Sequence, residues 1–233
     1  YFGSDLLQKQ RKNTRLTEDD YLAHFEGIAE QKIAGESSVL YLKSASAPTE
    51  IRDFCPDARI IIMLRHPVEL MHALHSQLLS QGDEDEEDFI AALALEPKRK
   101  AGSSLPKMVI VPDDGLFYRE TAALGTQVQR YLDVFPREQV HFVFFEDFVA
   151  DTAGELVKVR RFLVLSDNNK EIDLSARNPN SVSRYKSLAR VLQHPPSWMV
   201  AVSKAVAPRS LLVRFRDQLR QYNNIPARRA PLS

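Results

Sequence analysis

The stretch ARIIIMLRHPVELMHALHSQLL, Ala58–Leu79, changes its period once, at Arg65–Pro67. Before that point Ile60 to Leu64 are all apolar, with no alternation. After it, Met71, Leu74 and Leu78 recur at helical spacing. A short run that is apolar on both sides marks a strand covered on both faces, as in a parallel sheet. The strand is read as Arg59–Leu64, and Val39–Leu42 and Val140–Phe145 (VHFVFF) read the same way. Helical patterns separate the three runs. This alternation predicts an α/β layered fold with right-handed crossovers, built as a single domain over 1–233. At 233 residues, 44% of them hydrophobic, the chain can bury a large core.

The helices carry their own end signals. In LTEDDYLAHFEGIAE, Thr17 is the expected N-cap, with Asp20 completing a capping box. Leu16 and Tyr21 are placed to staple that end, and Leu22, Phe25 and Ile28 form the expected buried stripe. YRETAALGTQVQRYLDVF reads as one helix that buries Tyr118, Ala122, Val128, Leu132 and Phe135 and stops before Pro136. DTAGELVKVRRFL reads as a helix capped by Thr152 and Glu155, with Leu156, Val159, Phe162 and Leu163 inward. From Asp167 to Ser181 the chain turns polar, which predicts a long surface loop. Helical stretches follow near Arg184–Leu192, Trp198–Val206 and Arg209–Tyr222, and the end reads as coil.

Charge and composition exclude several classes. The formal net charge is +0, so any anion site must be local, and scattered basic residues without interleaved aromatics argue against nucleic acid. The single cysteine, Cys55, excludes an internal disulfide and fits a reducing, cytoplasmic compartment. Between Phe54 and Pro56 it reads as a buried small hydrophobe. No apolar run is long enough to span a bilayer, and no signal peptide is visible. The acidic run Asp83–Asp88 reads as a solvated loop or the first turn of the next helix. His72 and His75 have a spacing that metal ligands use, but no further ligand completes a site. Serine-hydrolase elbows and dinucleotide glycine fingerprints are absent.

Ligands of open α/β sheets bind outside the carboxyl ends of the strands, and Arg65 stands at such an end. Pro67 suits the first turn of a helix, where its missing N–H costs nothing. Helix-end amides beside a guanidinium make an anion site from sequence-local parts, and the planar fork suits phosphate or sulfate oxygens. His66, Glu69, Ala73 and Ser76 share one side of that helix. The structural alternative is an arginine that only pairs with a carboxylate at the sheet edge.

The motifs in order, GESSVLYL (Gly35–Leu42), Ala47–Pro48, Pro56–Gln77, Gly115–Asp151 and FLVL (Phe162–Leu165), resemble the sulfotransferases that use 3'-phosphoadenosine 5'-phosphosulfate (PAPS), in their bacterial and heparan-type branch. The resemblance implies a three-layer α/β/α fold with a central parallel sheet, akin to the P-loop nucleotide kinases. It implies transfer of a sulfuryl group from PAPS to a hydroxyl or amine acceptor, leaving adenosine 3',5'-bisphosphate. The acceptor class (saccharide, lipid or small metabolite) stays open. Arg65 would contact the 3'-phosphate. Where the family carries a serine on the following helix this chain has Ala73, and Ser76, one turn on, is the nearest hydroxyl. Arg177 and Arg184 fall where the family folds a basic segment over the nucleotide. Tyr118 matches an aromatic that follows Gly115, with core packing as its expected role.

Two family parts have no counterpart here. The Gly/Ser/Thr-rich loop with a lysine that cradles the 5'-phosphosulfate is missing, since Gly125–Gln127 and Ala101–Lys107 lie in the wrong places. The segment carrying the family's base ends in a motif like Tyr1–Gly3, so the chain is expected to begin just after both and to stop before the last helix. Sulfuryl transfer needs donor and acceptor held in register, stabilised charge on the leaving oxygen, and a base. Glu36 and His24 are the in-chain candidates for acid–base work or acceptor contacts. A non-catalytic relative of the same fold, and a P-loop-type nucleotide kinase, are the alternatives. The sequence upstream of Tyr1 discriminates among the three.

Overall fold

The structure, a computed structural model, describes residues 1–7, 16–28, 33–106, 113–165, 174, 181–185, 188, 191–192, 212, 218–219 and 222–226. Most of the polar loop and of the helical stretches expected after it lies outside these residues. The chain divides into two compact units, Tyr1–Pro67 with Ala123–Leu174 and Val68–Ala122 with Ser175–Ser233.

The first unit holds helices α1 (Ser4–Leu7), α2 (Glu18–Ala23) and α3 (Ala47–Phe54), then strand β1 (Ile60–Leu64). After its return come α7 (Leu124–Val134), β2 (Val140–Phe144), α8 (Phe145–Ala150) and α9 (Thr152–Phe162). Strands β1 and β2 pair in parallel, in register from Ile60 opposite Val140 to Leu64 opposite Phe144. Both strands and their parallel sense match the sequence reading, with β1 starting one residue later and β2 ending one residue earlier than predicted, but they are not covered on both faces: Ile61, Met63 and Phe144 are exposed. Ile62 and Val140 are buried with Tyr131 and Phe135 of the α7 segment. Each such side chain contributes roughly 1.5–3 kcal/mol by leaving water. Phe135 closes α7 in extended conformation just before Pro136, where the sequence placed the stop.

The third predicted strand is not one. Val39–Leu42 lies in a turn, in which the Lys43 and Ser44 amides donate to the Leu40 carbonyl and the Leu40 amide donates to Ser38 Oγ. Val39 is 95% exposed, while Leu42 packs beside the β1 core. A four-residue apolar run has no period that separates strand from turn, and the serines beside it supply turn bonds. Helix α2 does form the predicted box: Thr17 Oγ1 accepts from the Asp20 amide and Asp20 Oδ2 accepts from the Thr17 amide. It ends at Ala23, however, and buries Tyr21 in an aromatic cluster while Leu22 is 46% exposed. The tyrosine offers more area to the Tyr1, Phe2 and Phe54 rings, so it takes the inward place. The cap of α9 is Asp151, whose carboxylate accepts from the Gly154 amide, not Thr152, whose hydroxyl donates to the Phe148 carbonyl. Cys55 is exposed rather than buried, because it follows the last turn of α3.

The second unit holds α4 (Pro67–Gln81, all but its first residue), α5 (Phe89–Lys100), α6 (Tyr118–Thr121) and the short antiparallel pair β3 (Ser181–Ser183) and β4 (Asn224–Pro226). Leu78, Phe89, Ala92, Leu93, Leu116 and Tyr118 form its core, with Met71 and Leu74 against them. The segment read as one helix from Tyr118 is two, broken at Ala122–Ala123 where the units meet in sequence. The acidic run is not all solvated. Asp83 and Glu84 are buried, and Arg99 grips Glu84 with two hydrogen bonds of 2.7 Å. Asp88 caps α5 by accepting from the Ala91 amide. His75 is a core histidine, buried against Phe89 and Tyr118 with Nε2 bonded to the Glu86 carbonyl.

Candidate anion site at the strand ends

β1 and β2 run side by side and in the same sense, so their carboxyl ends emerge together. β1 delivers Arg65 and His66, and β2 delivers Phe145 and Glu146. The Arg65 guanidinium is half-buried and lies 4.7 Å from the centre of the Phe145 ring. The His66 amide donates to Glu146 Oε1 at 3.0 Å. That bond, the Glu146 backbone amide and the Arg65 charge hold the Glu146 carboxyl below the usual carboxylate range. Arg65 therefore stays at the lip of the sheet, on an aromatic face, as the sequence placed it. One expectation changes. The His66 amide, just before α4, is occupied by a carboxylate, and Pro67 has no N–H to offer. Phe145 and Glu146 were missed by sequence reasoning. The rule that singled out Arg65, applied to the end of the second parallel strand, points to them.

Glu36 lies in an exposed loop of the same unit and is held by two phenols. Tyr21 donates to Oε1 at 2.8 Å, and Tyr41 donates to both carboxylate oxygens at 3.2 Å. Burial, then the bond to Glu36, pushes the Tyr21 hydroxyl well above its ordinary value. Burial and the Glu36 charge push Tyr41 up to about 12. Both stay protonated donors at neutral pH, and they fix the carboxylate as an acceptor. His24 is exposed at the end of α2, and its Nδ1 hydrogen-bonds the Asp20 carbonyl at 2.7 Å. No hydrogen bond joins it to Glu36 among the described residues.

The remaining candidates fall in the second unit or outside the described residues. Ser76 and Ala73 sit half-buried on α4. Arg184 is exposed beside β3, with its guanidinium 5.0 Å from the Tyr222 ring centre and its amide bonded to the Asn223 carbonyl. Arg177 is outside the described residues. Among the described residues no three metal-ligating side chains gather, and no helix is long and apolar enough to cross a membrane.

No family model matches the chain, and no curated protein matches it. Among solved structures it is similar to a sulfotransferase from Alicyclobacillus acidocaldarius, at 31% identity and a TM-score of 0.57 over 69% of this chain. The match spans 64% of that protein's length. The chain thus has a sulfotransferase-like fold of mixed α/β character.

Proposed function

We propose that the protein is a sulfotransferase that takes its sulfuryl group from PAPS. The observation that carries this reading is Arg65, held at the carboxyl end of a parallel strand in a chain similar to a known sulfotransferase. A half-buried guanidinium on an aromatic face fits the 3'-phosphate of such a donor. Bound there, the donor would supply the activated sulfuryl group. Arg65 would bind and align the nucleotide's far end, with Ser76, Arg177 and Arg184 as further proposed contacts. Glu36, locked between Tyr21 and Tyr41, is suited to accept a hydrogen bond from the hydroxyl or amine acceptor. His24 keeps the second place in that role, because its Nδ1 is already engaged.

The test is ligand-linked stability. Adenosine 3',5'-bisphosphate at about a hundred times its dissociation constant should stabilise the full-length protein by about 2.7 kcal/mol, read as a rise in Tm. Arg65→Ala should remove most of that rise. Labelled sulfate from PAPS should reach a hydroxyl or amine acceptor. If the bisphosphate leaves Tm unchanged and no acceptor is labelled, the proposal fails. Ala73, where a serine is expected, favours a second reading: a fold relative that binds the nucleotide without turning it over. A Tm rise without any labelled acceptor would select it.

A further inference from the structure

The two residues that leave β2 each meet one of the two residues that leave β1. Phe145 offers its ring to the Arg65 guanidinium at 4.7 Å, and Glu146 Oε1 accepts from the His66 amide at 3.0 Å. Side chains of adjacent residues thus hold a side chain and a backbone group of adjacent residues across the parallel pair. An arginine side chain has many rotamers to lose, so a cation meant to meet an anion gains from being held before the anion arrives. The glutamate is the informative member. A carboxylate next to a phosphate site costs repulsion, and a chain that only needed a cation there would do better without it. Its lone pair is spent on the backbone of the turn, at the amide that precedes Pro67.

We infer that Glu146 is a positioning residue for Arg65: it pins the Arg65–His66 turn, Phe145 supplies the platform, and the pair presets the guanidinium for the nucleotide phosphate. This rests on the reading of Arg65 as the phosphate contact. The arrangement also withdraws the His66 amide from the anion.

Three variants test it in the full-length protein. Glu146→Ala removes the acceptor for the His66 amide, Glu146→Gln keeps an acceptor without the charge, and Phe145→Leu removes the ring. Glu146→Ala should weaken binding of adenosine 3',5'-bisphosphate about tenfold by calorimetric titration. Glu146→Gln should stay within about twofold of the parent, since its amide oxygen can take the same hydrogen bond. Phe145→Leu should fall between them. Hydrogen exchange without nucleotide should show the His66 amide protected in the parent and in Glu146→Gln, and open in Glu146→Ala. Tighter binding by Glu146→Ala or Glu146→Gln would overturn the inference, because the carboxylate would then compete with the anion. So would an unprotected His66 amide in the parent. If the parent binds no bisphosphate, the nucleotide reading falls, and the pinning of the turn is judged on the exchange result alone.

Discussion

Arg99 and Arg65 each lie near a glutamate, Glu84 and Glu146, and the two regions use them in opposite ways. In the second unit, Arg99 and Glu84 are sealed, each with a side chain 0% exposed, and joined by two hydrogen bonds of 2.7 Å. Tyr118 closes the pair with a third bond to Glu84, at 2.6 Å. At the strand ends of the first unit, Arg65 is half-buried on a ring, and Glu146 spends its hydrogen bond on a backbone amide. A guanidinium gripped by a bidentate carboxylate has its fork filled and serves the core. One laid on an aromatic face keeps its charge near the surface, where an anion can meet it. Burial sets the demand at the Arg99–Glu84 pair, since a charge taken out of water must be matched inside.

The sharpest way to break this contrast is to remove one buried partner. Arg99→Ala should destabilise the protein by about 3–5 kcal/mol in urea unfolding, because Glu84 is left charged and enclosed. A loss under about 1 kcal/mol would mean that water reaches the pair, and the contrast would dissolve. Next comes Tyr118→Phe, which withdraws one bond from the same carboxylate and should cost about 1–3 kcal/mol. Arg65→Ala should cost less than about 1 kcal/mol, the worth of a partly exposed cation–π contact, even as it abolishes most nucleotide-linked stabilisation.

Acid sharpens the comparison further. Burial pushes the Glu84 carboxyl up, but the bonds from Arg99, Tyr118 and the Glu86 amide outweigh it and hold it below the usual carboxylate range. A carboxyl lower in the folded state than in the unfolded one stabilises above the ordinary carboxylate range, and that contribution is lost as pH falls through the folded value. Asp5 behaves alike. Burial raises it, yet bonds from Ser44, Ala45 and Ser46 bring it down to about 2. Urea midpoints should therefore fall as pH drops from the ordinary carboxylate range toward about 2, more steeply in the parent than in Glu84→Gln. A midpoint flat across that window in both proteins would count against the buried grip.

Much of the first unit was legible in its residues. Ile60–Leu64 and Val140–Phe144 announced themselves as strands because apolar residues filled both faces, and their parallel sense followed from the helices between them. Pro67, Pro136 and the Thr17–Asp20 box marked helix ends because their signals act within one turn of chain. Val39–Leu42 carried the same apolar look and became a turn. Four residues hold no period, and the bonds that settled it came from Ser38 and Ser44. The acidic run failed for a different reason. Nothing local tells Glu84 from Glu87, and only the approach of Arg99 and Tyr118 makes one of them an interior residue. The site was half legible. Arg65 was found from its place after a strand, whereas Tyr21 and Tyr41 around Glu36 are separated from it by five or more positions and met it only through folding.

Local pattern alone fixed the two parallel strands, the Thr17–Asp20 cap, the helix ends marked by Pro67 and Pro136, and the arginine at a strand end, since each depends on steric and hydrogen-bonding preferences spanning a few residues. Which carboxylate met which cation was decided by packing. Ion pairing depends on distance and on the water removed around it, and both are properties of segments brought together from far apart in the chain.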